Sequence, residues 1–197
     1  MLRGFEQTDI LPYGGSLAAL RVDPQADVPL SYIPVFPTYP PETSWMRVPK
    51  TDVPGLVLSV HGNSRVAYLP ADLDRRYSKE HLPDHSDLLA NIVRWLGGDC
   101  FPLAVEGPGL IDCHLYRQER RLILHLVNLT SAGTWRAPVE EFIPVGPVKV
   151  KIRLPRGTST RTARLLVAGG RRPVSVSGGQ ASLEISSITD HEVVVLE

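Results

Sequence analysis

The chain has 197 residues, of which 43% are hydrophobic, and its 21 basic and 21 acidic side chains give a formal net charge of zero. A neutral chain lacks the excess of Lys and Arg with which nucleic-acid binders and membrane-surface helices engage phosphate groups, so we expect neither partner. No stretch approaches the roughly 20 apolar residues that span a bilayer, and the N-terminus has no apolar run typical of a signal peptide. Cytoplasm is therefore the default location, and the length fits one large domain or two small ones.

The first half of the chain is crowded with proline and predicts short strands joined by loops. Pro34 places one candidate strand at a sheet edge, because proline cannot donate to a strand ladder. Gly62-Asn63 lies between two β-rich runs and is a hairpin signal. The elements predicted here, in chain order, are a loop over residues 1–16 and strands over residues 17–22, 30–36, 55–60 and 65–70.

A charged loop and one helix complete the first half. Residues 71–85 are dense in Asp, Arg and His and predict a loop. After this loop, apolar residues recur with helical spacing, and Asp84 or Ser86 can cap the helix while Gly97-Gly98 ends it. The apolar stripe consists of Leu88, Leu89, Ile92, Val93 and Leu96, with Trp95 beside it.

The residues after Gly98 have no helical period and alternate in the manner of strands. Turn signals separate the alternating runs at roughly 8–12 residues, a spacing typical of a β-sandwich. The predicted strands cover residues 110–117, 121–128, 148–154, 164–168, 173–176, 181–185 and 191–196. We therefore predict an α+β chain, with the C-terminal part of a flavodoxin-like α/β domain over residues 1–98 and an all-β sandwich over residues 99–197.

The single helix of the first half has a structural consequence. One helix with a few strands cannot cover both faces of a parallel sheet. We therefore expect the beginning of the α/β domain to be absent from this chain, and with it a complete active site. An uncovered apolar sheet face should also cause self-association.

The densest polar cluster lies between a strand and the helix, where ligands bind in open α/β sheets. Its candidate ligand-binding residues are Asp72, Asp74, Arg75, Tyr77 and His85. Carboxylates near a histidine can perform acid–base chemistry. The alternative interpretation is that the aspartates pair with neighbouring arginines and only hold the loop in place.

Other residues that could bind a ligand or take part in chemistry are scattered along the chain. Trp135 lies in a predicted loop and is a candidate contact for a sugar ring, with plain packing as the alternative. His114 and His125 lie on neighbouring predicted strands, and we expect Cys113 to be a buried thiol. The chain contains no G-x-S-x-G elbow, no G-x-G-x-x-G loop and no zinc spacing, so we predict no catalytic residue, no metal and no cofactor.

Two groups of segments resemble a known family. The runs Arg65–Arg75, Pro83–His85 and Leu89–Trp95 resemble the closing strand, loop and helix of a glutamine-amidotransferase-like domain called the β-galactosidase trimerisation domain. The runs Leu124–Thr130, Ile143–Gly146 and Asp190–Val194 resemble the C-terminal β-domain that follows it in bacterial glycoside-hydrolase-like proteins. In that family the chemistry resides in an N-terminal barrel with a carboxylate pair, and no part of this sequence matches the barrel. The resemblance therefore implies no catalytic residue here.

The leading hypothesis is a non-catalytic accessory and oligomerisation region of a glycoside-hydrolase-like protein acting in carbohydrate metabolism. Its expected partners are further copies of the chain or the missing N-terminal barrel, and a carbohydrate is the candidate ligand. The first alternative is a carbohydrate-binding β-sandwich module that uses Trp135. The second is a small hydrolase that uses Asp72, Asp74, His81 and His85.

Overall fold

The computed structural model describes residues 1–98, 100–130, 141–158 and 160–197. The chain divides into two compact units, Met1–Cys100 and Phe101–Glu197. Within the described ranges, no helix combines the length and the apolar character needed to cross a membrane.

The first unit contains one antiparallel sheet and two helices. The sheet has the strand order β1-β2-β3, and every neighbouring pair runs antiparallel. The elements are β1 (Asp27–Ser31), a short 3₁₀ helix (Pro41–Thr43), β2 (Pro54–His61), β3 (Ser64–Tyr68), α1 (Leu73–Glu80) and α2 (Pro83–Gly97). A flavodoxin-like domain has a parallel sheet, and such a domain is not shown here.

The β2–β3 hairpin confirms the predicted turn. Its two connecting residues are Gly62 and Asn63, and Gly62 adopts a positive φ of 58° that suits a tight hairpin. The predicted strand over residues 17–22 is wrong, because that segment forms no strand. The strand predicted over residues 30–36 is found over Asp27–Ser31 instead. It ends before Pro34, because proline cannot donate to a strand ladder.

The two faces of the sheet have different surroundings. Leu56 and Leu58 point to the buried side, where Leu73 of α1 and Leu88 and Ile92 of α2 complete a small core. Side chains alternate between the faces of a strand. The opposite face carries the exposed side chains of Val66 and Tyr68, which are 48% and 46% accessible.

The segment predicted as a charged loop is in fact largely helical, so that prediction is wrong. Residues Leu73–Glu80 form α1, whose only buried residue is Leu73. The prediction failed because a short helix with one anchoring leucine has no apolar stripe. An ion pair between Arg76 Nε and Glu80 Oε2 at 2.7 Å supports the helix instead.

Helix α2 was predicted with the right end and the wrong start. Gly98 adopts the left-handed conformation that ends the helix, as expected. At the start, however, neither Asp84 nor Ser86 is the cap. Leu82 occupies the cap position without a side-chain hydrogen bond, and Pro83 opens the helix, because proline suits a first-turn position that needs no N–H donor.

The second unit is made of two antiparallel sheets around one core, and its described part contains no helix. One sheet has the order β10-β11-β7-β4 and the other β5-β6-β12-β8-β9. The strands are β4 (Leu103–Glu106), β5 (Ile111–Gln118), β6 (Arg121–Asn128), β7 (Val148–Arg153), β8 (Thr162–Leu165), β9 (Arg171–Pro173), β10 (Ser175–Ser177), β11 (Gln180–Ile185) and β12 (His191–Leu196). The alternation of apolar residues did not predict β4, and it predicted one strand over residues 173–176 where β9 and β10 lie.

The core of the second unit follows from that alternation. Leu124 and Leu126 of β6 are fully buried and pack with Val150 and Ile152 of β7, which lies in the other sheet. Residues from both sheets thus share one apolar layer, which is the arrangement of a β-sandwich. Within the described ranges the fold is β-rich, and both α-helices lie in the first unit.

Candidate functional site

The predicted polar cluster is held by contacts within the first unit. Asp72 precedes α1, and its Oδ2 lies 3.4 Å from Nη1 of Arg75. Its carboxylate also packs against Gly15, where a Cβ atom would lie only 2.5 Å from Oδ1. Asp74 is exposed on the first turn of α1.

The aromatic members of the cluster also contact their neighbours. Tyr77 lies edge-on to His81, with ring centroids 5.7 Å apart. His81 ends α1 in the left-handed conformation with a φ of 51°. His85 is fully buried, and its Nε2 lies 2.7 Å from the carbonyl oxygen of Pro12. Because a carbonyl oxygen only accepts, Nε2 must carry the hydrogen of this bond.

The cluster therefore acts mainly as a structural tether. His85 holds the segment before β1 against α2, and Asn91 does the same by donating from Nδ2 to the carbonyl oxygen of Arg3 at 2.8 Å. In the described part of the chain, no three His, Cys, Asp or Glu side chains form a group that could hold a metal ion. Trp135, the remaining candidate, lies outside the described residues.

A surface cavity of about 350 Å³ in the first unit is the second candidate site. It lies between the residues that lead into β1, the C-terminal half of β2 and the end of α2. Such a volume is at the small end of the roughly 300–1,000 Å³ typical of ligand pockets. Its lining consists of Asp23, Gln25, Asp27, Leu58, Ser59, Val60, His61 and Trp95.

Short local hydrogen bonds fix the polar side chains of this cavity. Ser59 Oγ lies 2.8 Å from Nε2 of His61, two residues along β2. Asp23 Oδ1 accepts a hydrogen bond from the backbone N–H of Gln25 at 2.8 Å, which forms a turn before β1. Among the described residues, the carboxylate of Asp27 has no hydrogen-bond or ion-pair partner.

Trp95 forms the aromatic wall of the cavity. It packs partly against the core of the first unit, and its carbonyl oxygen accepts a hydrogen bond from Arg65 of β3. The guanidinium carbon of Arg65 lies 5.6 Å from the centroid of the indole ring. The ring is therefore held in place by both the core and the neighbouring strand.

Few features of the sequence predict this cavity. Asp23, Asp27, His61 and Trp95 come from four separate segments, and no spacing rule connects them. Trp95 was predicted to lie on the helix beside the apolar stripe, where packing was the favoured role. The one available signal was the local pattern Asp23-Pro24-Gln25, since Asp and Pro favour a turn whose side chains remain accessible.

The histidines of the second unit form a row on the sheet face opposite the core. His114 and His125 face each other in the register of β5 and β6. Nδ1 of His125 lies 3.2 Å from Nε2 of His191 on β12, and the two rings are stacked with centroids 5.4 Å apart. His114 is paired with Asp112 at 2.9 Å. Cross-strand pairing accounts for the contacts among the three histidines.

A smaller cavity of about 210 Å³ in the second unit is lined almost wholly by apolar or glycine residues, with Cys113 as its only thiol. Burial raises the pKa of the Cys113 thiol, and the nearby Asp112 carboxylate raises it further. A thiol with a raised pKa is a poor nucleophile at neutral pH. No disulfide joins Cys100 to Cys113.

Two buried polar residues of the second unit serve the backbone. Asn128 Nδ2 donates to the carbonyl oxygens of Ile143, Ile188 and Thr189 at 2.8, 3.2 and 2.8 Å. Glu192 accepts hydrogen bonds from the backbone N–H groups of Val167, Ala168 and Val193. Asn128 heads a glycosylation sequon, but its amide nitrogen is committed to these bonds.

Comparison with known proteins identifies the fold. No protein-family model and no curated protein matches the sequence. Among solved structures, alpha-L-fucosidase isoenzyme 2 from Paenibacillus thiaminolyticus matches 78% of this chain with a TM-score of 0.60 and 23% sequence identity. A cycloisomaltooligosaccharide glucanotransferase of Paenibacillus sp., solved with cycloisomaltoheptaose, matches 48% of the chain with a TM-score of 0.39 and 12% identity. The chain spans 24% of the fucosidase and 16% of the glucanotransferase. The fucosidase match establishes that the fold of this chain recurs in that protein.

Proposed function

We propose that this chain is a non-catalytic accessory region of a glycoside-hydrolase-like protein, which assists the assembly of a carbohydrate-processing enzyme. The observation that carries the proposal is that the polar cluster around α1 forms contacts within the first unit. Its buried histidine binds a backbone carbonyl and its first aspartate pairs with an arginine, so these groups stabilise the fold. The recurrence of the fold in an α-L-fucosidase supports the same assignment.

The finer assignment concerns each unit separately. In this proposal the first unit is the closing part of a flavodoxin-like, glutamine-amidotransferase-like trimerisation domain, and the second is the β-domain that follows it. Strand β3 and helix α2 support the first part, because they lie where residues 65–95 resemble the closing strand and helix of that domain. The catalytic barrel would be supplied by another part of the protein or by another chain.

The uncovered face of the first sheet supports a role in assembly. Val66 and Tyr68 stand on that face and are about half exposed. Apolar side chains grouped on one face lose contact with water when a partner covers them, which contributes roughly 25 cal/mol per Å² of buried apolar surface. A second copy of the chain or the parent protein's own barrel would supply this cover.

Light scattering after size-exclusion chromatography tests the assembly role. We expect the chain to self-associate and expect Tyr68→Lys to lower the apparent mass toward that of a monomer. Tyr39→Lys is the matched control, because Tyr39 is 83% exposed in the connector before β2. A wild-type chain that stays monomeric at all accessible concentrations would remove the support for this role.

An activity screen separates the accessory role from the small-hydrolase alternative. We expect the chain alone to hydrolyse none of a panel of nitrophenyl glycosides above the buffer rate. Activity that disappeared in both Asp74→Asn and His81→Gln would favour the hydrolase instead. These two positions are exposed, so the substitutions leave the core intact.

A further inference from the structure

We propose that the cavity lined by Asp23, Asp27, His61 and Trp95 binds a neutral sugar ring. The cavity is lined by one aromatic residue and by several polar residues. This inference deepens the proposed function by assigning a ligand site, and it rests on that function only for the choice of an oligosaccharide as the natural source of the ring.

The polar rim offers the hydrogen-bonding groups that sugar hydroxyls need. Each sugar hydroxyl both donates and accepts. The carboxylates of Asp23 and Asp27 accept, and the amide of Gln25 can do both. Because Asp27 has no partner among the described residues, its two oxygens can accept from hydroxyl groups without first breaking an internal bond. Such charge-assisted hydrogen bonds are the stronger kind.

The pair Ser59 and His61 adds a further polar edge. A hydrogen bond between Ser59 Oγ and Nε2 of His61 fixes the imidazole ring. In the described part of the chain Nδ1 of His61 makes no hydrogen bond. A ring nitrogen held in a fixed orientation loses little freedom when it binds a ligand.

The aromatic residue of this cavity, Trp95, differs from the exposed aromatic residues elsewhere in the chain. A pyranose ring has an apolar face of C–H groups, which packs well against an indole that also keeps its polar edge in water. Trp95 is held by the core and by Arg65, so it is preorganised for such contact. Trp45 is more exposed, but the guanidinium of Arg47 already lies 3.6 Å over its ring.

The charge of the lining argues for a neutral ligand. Two carboxylates and no Lys or Arg line the cavity, so an anion such as a phosphate would be repelled. A metal ion is disfavoured because the described residues include no three-ligand group. The cavity also carries too many polar groups for a purely apolar guest, whose binding would leave the carboxylates desolvated and unpaired.

The test uses the full chain and measures binding directly. Methyl glycosides of glucose, galactose, mannose and fucose, with maltose and cellobiose, serve as probes in NMR titrations that follow the signals of the isotope-labelled protein. The chain has three tryptophans, so its three indole N–H signals can be assigned with Trp→Phe variants. We expect at least one probe to shift the signal of Trp95.

Site variants then locate the bound sugar. Asp27→Asn should weaken binding about 10- to 100-fold, since it replaces a charged acceptor at the rim. Asp87→Asn, an equally exposed carboxylate on α2 outside the cavity, should leave the affinity unchanged. Both positions are exposed, so neither substitution disturbs the core.

Several outcomes would overturn the proposal. These are the absence of binding by every probe, a shift confined to the signal of Trp135, or equal affinities for wild type and Asp27→Asn. Binding only of cationic amino sugars or polyamines would overturn the neutral class of ligand. None of these results bears on self-association or on hydrolysis, so failure of this site and failure of the accessory role are distinguishable.

Discussion

Asn128 is the residue whose replacement should most weaken the second unit. Its Nδ2 donates to the carbonyl oxygens of Ile143, Ile188 and Thr189, and its Oδ1 accepts from the N–H of Thr130 at 3.0 Å. Asn128→Asp keeps the shape of the side chain but turns an oxygen toward three carbonyl oxygens. Lost hydrogen bonds contribute about 1 kcal/mol each, and buried unpaired groups cost about 1–3 kcal/mol.

We therefore expect Asn128→Asp to lower the free energy of unfolding by about 3–5 kcal/mol at neutral pH. Small domains have about 5–15 kcal/mol in total, so the loss is a large share. For a unit of this size each kcal/mol corresponds to roughly 4–8 °C in Tm. Burial should raise the pKa of the new carboxyl above its unfolded value. Its protonated form can donate one hydrogen bond, so the penalty should shrink as the pH falls through that raised pKa.

Urea denaturation followed by circular dichroism at two pH values measures this effect. Asn63→Asp is the matched control, because Asn63 is exposed in the β2–β3 hairpin turn and should change stability by less than about 0.5 kcal/mol. Equal unfolding midpoints for wild type and Asn128→Asp would refute the role assigned to the amide. A penalty that grew in acid would refute the account of the carboxyl.

Three further predictions concern other buried groups. Glu192→Gln should cost about 1–3 kcal/mol, since one carboxylate oxygen that accepts a backbone N–H becomes an amide nitrogen; thermal unfolding checks this, and an unchanged Tm would contradict it. His85→Leu should cost about 2–4 kcal/mol and speed proteolysis within residues 1–16, because it frees the Pro12 carbonyl; unchanged cleavage there would count against the tether. Iodoacetamide at neutral pH should label exposed Cys100 well before Cys113, whose pKa is raised by burial, and the gap should narrow at higher pH; equal rates by mass spectrometry would exclude this difference.

The longer sandwich strands and α2 were predictable because each contains several repeats of a regular apolar pattern. Along β6 every second side chain is buried, and Leu122, Leu124 and Leu126 carry that alternation plainly in the sequence. Short elements gave no such signal. Helix α1 has a single buried side chain, β4 has four residues and β9 has three, so none of them contains enough repeats of a pattern to be detected.

The buried face of α2 was only half predictable. The apolar stripe correctly included Leu88 and Ile92, but Val93 and Leu96 are 55% and 41% exposed. The residues that complete the buried face are His85 and Asn91, which are polar. The apolar pattern cannot predict that these two side chains are buried, because they are buried by hydrogen bonds to backbone carbonyl groups of a distant loop.

For the candidate sites, closeness in the sequence was a poor guide to which polar groups remain available to a ligand. The polar cluster around α1 was found from its density alone, yet its buried members stabilise the first unit. The cavity beside Trp95 was missed because tertiary structure alone brings its four segments together. Clustering in sequence therefore located the tethers, and clustering in space located the groups that remain available to a ligand.

One physical rule explains which polar residues of this chain stabilise it and which remain free. Irregular segments leave backbone groups without ladder partners, and a buried group of that kind must be satisfied. His85 and Asn91 satisfy the segment before β1, while Asn128 and Glu192 satisfy loops that border β12. These side chains lie on regular elements and point inward. Asp27 also lies on a regular element but points to an open cavity, so its carboxylate is the one of this group whose hydrogen-bonding capacity a ligand can use.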